Sequence, residues 1–138
     1  MRTFNRTYLI GFVGAKPEKH ETQNGNELST FPVATNFYTK DKNNETRQET
    51  DFHRIVCWGS LSKFVQEHLN KGSLVFLEGR ITNRSYEDNK TKQTCYRTEI
   101  VCSELKILSW KNKEENSNLV EAVNSQENNE NISYNPNL

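Results

Sequence analysis

The chain has 138 residues, enough for one domain of ordinary size and an appendage. Its 18 basic and 18 acidic residues balance, which argues against a uniformly basic binder of duplex DNA. The charge is uneven, however: residues 1–110 hold 16 basic and 13 acidic side chains, whereas residues 111–138 hold 2 and 5. A mildly basic body with an acidic appendage is consistent with nucleic-acid binding. The three cysteines, Cys57, Cys95 and Cys102, form no C-x-x-C pair and read as reduced thiols, with Cys57 as a small core hydrophobe. No apolar run approaches membrane-spanning length, and the N-terminus has no hydrophobic signal core. The expectation is a soluble, cytoplasmic protein with no membrane partner.

Thr7 to Val13 is a β-rich run and reads as strand one, with Gly11 predicting a bulge or sharp bend. Ala15 to Asn26 is polar and contains the hairpin pair Asn24-Gly25. Glu27 to Thr39 reads as strand two, with Phe31, Val33, Thr35, Phe37 and Thr39 on one face. Pro32 within it must lie at an edge or bulge, because proline cannot donate to a ladder. Lys40 to Thr46 is a charged hairpin tip, and Glu49 to Gly59 is strand three. Leu61, Phe64, Val65, His68 and Leu69 then recur at helical spacing. They predict a helix over Ser60–Lys71, capped by Gly59 or Ser60 and stopped at Gly72.

Leu74 to Tyr86 reads as strand four, with Val75, Leu77 and Ile81 on one face and Phe76, Arg80, Arg84 and Tyr86 on the other. Glu87 to Gln93 is a second charged tip, and Thr94 to Leu108 is strand five. Five strands with one helix between the third and fourth predict an all-β fold, the OB-fold barrel, over residues 1–110. Its binding surface is expected on strands two and three, between the hairpin tips. Residues 111–138 are rich in Asn and Glu and poor in bulky apolar residues, which predicts a disordered tail.

Strand three carries the chemistry. Alternation puts Phe52, Arg54, Val56 and Trp58 on one face and His53, Ile55 and Cys57 on the other. An exposed row of aromatic, cation, apolar and aromatic side chains suits stacked bases on an anionic backbone. A strand buried on both faces, with Arg54 reaching out to solvent, fits this stretch equally well. His53 lacks partners at metal-ligand spacing and reads as a hydrogen-bonded core or interface residue. Glu49 with Asp51, and Asp41 with Glu45, read as solvated hairpin charges. No phosphate-cradling glycine loop and no nucleophile beside a histidine base appears, so neither an enzyme nor a bound cofactor or metal is expected.

Several patches in order then resemble the bacterial-type single-stranded DNA-binding protein family across residues 4–108. They are Asn5-Arg-Thr-Tyr-Leu-Ile-Gly11, Phe31-Pro-Val-Ala-Thr-Asn36, Glu49 to Gly59, Leu69-Asn-Lys-Gly-Ser73, Leu77-Glu-Gly-Arg80 and Tyr96-Arg-Thr-Glu-Ile100. The resemblance implies base stacking on Phe52, Trp58 and Tyr86, with phosphate contacts from Arg47, Arg54, Lys71, Arg84 and Lys42. It places one further stacking position on Thr39, which is a departure. Phe37 on the same face, or the adjacent Tyr38, is the substitute. Ser60 stands where the family often has a basic residue. The resemblance also implies a homotetramer with His53 at an interface, and a nucleoid-associated role coating single strands in replication, recombination and repair. The family tail ends in an acidic tip that recruits replication and repair proteins. Here Tyr134-Asn-Pro-Asn-Leu138 has no acidic run, which puts that docking in doubt. The alternative function is an OB-fold protein-interaction module of a primosome-like assembly.

Overall fold

A computed structural model describes residues 1–109. The tail predicted for residues 111–138 lies outside the described residues. The elements are β1 (Thr7–Val13), β2 (Glu18–Glu21), β3 (Glu27–Lys40), β4 (Thr46–Trp58), α1 (Ser60–His68), β5 (Leu74–Glu87) and β6 (Thr94–Ser109). The ring runs β1-β5-β6-β4-β3 and closes because β1 changes partner. It pairs with β5 from Thr7 to Phe12, then with β3 at Phe12 and Val13. Every pairing is antiparallel except the short β4–β6 contact at Ile55↔Ile100 and Val56↔Val101. A closed five-stranded ring with one helix between its third and fourth strands in chain order is the OB-fold.

Two elements differ from the sequence-based expectation. The polar run before β3 contains β2, a four-residue strand that pairs only with β3 and stands outside the ring. All four of its side chains are exposed, so it leaves no apolar alternation to read. The Asn24-Gly25 turn joins β2 to β3, with Gly25 at φ 80° donating its N–H to the Thr22 carbonyl. The helix stops at His68, not Lys71, because Leu69 turns extended and buries itself in the core. Gly72 is left-handed (φ 92°), yet it caps no helix; its N–H goes to the Val13 carbonyl.

The barrel interior holds Val33, Ile55, Cys57, Val75 and Leu77, and α1 closes it with Val65, followed by Leu69. Burial of side chains of this kind contributes about 1.5–3 kcal/mol each. Ser29 and Ser62 share a buried 2.6 Å hydrogen bond, and Gln66 Nε2 donates to Ser29 Oγ, so polar groups also fix α1 on β3. Pro32 sits in the gap where β3 has left β2 and not yet met β1. Its carbonyl accepts from Gly14 N–H on that side, so the missing proline N–H deprives no ladder partner.

Gly11 marks a close approach rather than a bulge: the β1–β5 register runs through it unbroken. A Cβ there would collide with the Ala34 carbonyl and lie 2.7 Å from Val33 Cγ1. Gly79 plays the same part against the Val101 carbonyl, at a genuine irregularity of the β5–β6 ladder between Glu78 and Gly79.

Cys57 and Cys102 are buried, whereas Cys95 is half-exposed. Contact with Cys102 and then burial push the Cys57 thiol up from its ordinary value. In a titration of the folded protein with a thiol reagent, Cys95 is expected to react first. Cys57 and Cys102 should follow only on unfolding; three equally fast thiols would contradict this packing.

Candidate nucleic-acid interface

Cross-strand partners point to the same face, so register decides which side chains share a surface. Phe52, Arg54, Val56 and Trp58 stand opposite Ala34, Pro32, Thr30 and Leu28 of β3. The Val56↔Val101 pairing carries this face onto β6. From there it continues to β5 through Glu99↔Thr82, Arg97↔Arg84 and Cys95↔Tyr86. Phe52, Trp58 and Tyr86 therefore lie on one continuous outer surface. They are 67%, 40% and 45% exposed. Val56, in the middle of the row, is buried. Of the two sequence readings of this strand, the exposed aromatic row is the one that describes its ends.

Arg54 and Arg84 approach each other across a residue the sequence reading gave no role. Glu99 is 3% exposed. Its Oε2 lies 3.9 Å from Arg54 Nε and its Oε1 lies 3.9 Å from Arg84 Nη1. These are ion-pair distances, too long for hydrogen bonds. Arg54 Nε is buried and has no hydrogen-bond partner. A buried donor left in that state costs about 1–3 kcal/mol. Extending alternation from Ile100 along strand five would have placed Glu99 on the arginine face.

A cleft of about 260 Å³ opens on this surface, lined by Thr30, Pro32, Phe52 and Arg54 and by Ala15, Lys16 and Glu18 before and in β2. Gly14 packs against two of these lining residues, Pro32 and Phe52. A Cβ on it would lie 3.4 Å from the Phe52 ring and 3.3 Å from Pro32 Cγ, so glycine leaves that ring its place.

The β3–β4 register moves three of the selected residues off this surface. Thr39 pairs with Arg47, and Phe37 with Glu49. All four point to the side of Asp51 and His53, opposite to Phe52. Tyr38 pairs with Gln48 and shares the Phe52 face, where it is 69% exposed. The aromatic that extends the row is therefore Tyr38, not Phe37. Alternation had correctly joined Phe37 to Thr39, but it does not say which face of one strand meets which face of the next. Lys42 sits in the tip held by Asp41, whose Oδ1 accepts from the Asn43 and Glu45 N–H groups. Lys71 sits in the turn beside Gly72, whose N–H goes to the Val13 carbonyl. His53 is half-buried, with Nε2 2.8 Å from Thr35 Oγ1. No group of three His, Cys, Asp or Glu among the described residues is arranged to hold a metal ion.

Comparison with known proteins points to one family. The model of the single-strand binding protein family matches residues 4–108. Single-stranded DNA-binding protein 1 of Chlorobaculum tepidum is 41% identical over 110 residues, covering 80% of this chain and 68% of that protein. Its namesake in Xylella fastidiosa is 37% identical over 112 residues, covering 80% and 82%. A solved Plasmodium falciparum SSB in complex with ssDNA superimposes with a TM-score of 0.70 at 32% identity, over 79% of this chain and 98% of that one.

Proposed function

The chain belongs to the single-strand binding protein family, and we propose from that membership that it binds single-stranded DNA on the Phe52–Trp58–Tyr86 face. The observation that carries the reading is the meeting of these exposed aromatics with Arg54 and Arg84 on one surface. Bases stack on the rings, each contributing about 1–3 kcal/mol, and the arginines take phosphates. Such contacts are nearly blind to sequence, which suits a protein that coats exposed strands in replication, recombination and repair. Tyr38 joins the stacking set, and Lys71 and Lys42 supply outlying positive charge. Arg47 belongs to the opposite face and contributes little. The protein works without catalysis, in the cytoplasm beside the DNA it covers. No helix among the described residues is long and apolar enough to cross a membrane. The interaction-module alternative is not favoured, since the matched relatives are named for DNA binding.

The working form is a homotetramer. Tyr8, Ile10 and Phe12 alternate outward along β1 and are all exposed, with half-buried Phe76 of β5 opposite Ile10. Three such side chains in a row on one strand form an apolar patch of the kind that marks an interface. Ile10→Glu is expected to reduce the assembly to a smaller species in light scattering, with the barrel still folded. A tetramer that survives this change would place the interface elsewhere.

Binding is tested by titrating the full chain with oligo-dT and following tryptophan fluorescence. A Trp110→Phe background leaves Trp58 as the reporter. Strong quenching is the expected result, and Trp58→Ala should weaken binding when a labelled oligo-dT is followed by anisotropy. No binding at low salt would overturn the reading.

A further inference from the structure

The surface that carries Phe52, Trp58 and Tyr86 also carries an arginine to which the sequence reading gave no role. Arg97 of β6 is exposed and stands directly opposite Arg84 of β5. Like charges so placed on one face of an antiparallel ladder repel. Arg80 follows on the same face of β5, and Arg54 faces Glu99 from β4. This part of the face thus carries Arg54, Arg80, Arg84 and Arg97. Glu99 already directs one oxygen to Arg54 and the other to Arg84. Among the described residues Arg97 has no ion pair. Its guanidinium carbon instead lies 4.8 Å from the centroid of the Tyr86 ring.

We propose that Arg97 is a phosphate-contacting residue of the single-strand site, working as a unit with Tyr86. In the free protein the guanidinium rests over the ring by cation–π attraction. When a base stacks on Tyr86, the guanidinium turns to the adjoining phosphate. The Arg84–Arg97 juxtaposition favours that move, because a phosphate there relieves their repulsion. This proposal rests on the single-strand-binding reading above and adds a residue that alternation on β5 alone did not reveal.

The test is the salt dependence of oligo-dT binding by the full chain, read by anisotropy of a labelled oligonucleotide. The variants are Arg97→Gln, Arg97→Lys and Trp58→Ala. A phosphate contact on a single strand contributes about 0.7 to the slope of log K against log salt. Arg97→Gln is expected to make the slope shallower by about that amount and to weaken binding at low salt roughly tenfold. Arg97→Lys should keep the slope, and thermal melts should be unchanged because the side chain is exposed. An unchanged slope in Arg97→Gln would overturn the proposal and leave Arg97 as a cover for the ring. Tighter binding in that variant would also overturn it, showing that the guanidinium competes with the base. Trp58→Ala separates the two levels: if it too binds like the parent, the aromatic face itself has been misassigned.

Discussion

Replacing Phe52, Trp58 and Tyr86 together by alanine is expected to reduce oligo-dT affinity by roughly two to six orders of magnitude while the barrel stays folded. Each stacked base contributes about 1–3 kcal/mol, and 1.4 kcal/mol is tenfold in affinity. Single substitutions should therefore weaken binding by about 5- to 150-fold. Phe52 and Trp58 are six places apart on β4, about 20 Å along a strand, so their losses should add. Tyr86 sits on β5, past the width of β6. None of the three fills the core, so the melting temperature should move little. Two further substitutions test the register itself: Tyr38→Ala should weaken binding, whereas Phe37→Ala should leave it near the parent value. A triple variant that binds within threefold of the parent would rule out base stacking on these rings.

The legible part of this site and the hidden part separate along a physical line. Alternation within one strand is a local property, and it put Phe52, Arg54 and Trp58 together, and Arg84 with Tyr86. The relation between strands is not local. Whether Phe37 or Tyr38 joins Phe52 depends on the β3–β4 register, which the turn at Asp41–Glu45 fixes. The same holds for Arg47, which sits on β4 but opposite to Phe52. Glu99 and Arg97 escaped because β6 was read for its length, and its outward residues gain meaning only beside Arg54, Arg84 and Tyr86. β2 left no pattern at all, since a strand with four exposed side chains looks like loop. The fold was readable because five apolar strands and one change of period survive these errors.

Gly79, like Gly11, leaves no room for a side chain. Gly79→Ala is expected to cost about 1–3 kcal/mol through overpacking. In a domain of this size that lowers the melting temperature by about 4–8 °C for each kcal/mol. The new methyl would meet the Val101 carbonyl and lie 2.9 Å from Ile100 Cγ2. Neither can yield cheaply. Ile100 is a core residue, and Val101 belongs to the two-pair parallel contact with β4 that completes the ring. Pushing β6 outward there strains ring closure and shifts Glu99, two residues before Val101, together with the arginines it faces. Single-strand affinity should therefore fall even at temperatures where the variant is folded. Gly25→Ala is the control: its φ of 80° also disfavours a side chain, but nothing lies within 4 Å of the added Cβ. That change should cost about 1–2 kcal/mol from backbone strain and leave affinity alone. Equal affinity in the two variants would mean that the close approach of β5 and β6 at Gly79 has no part in shaping the site.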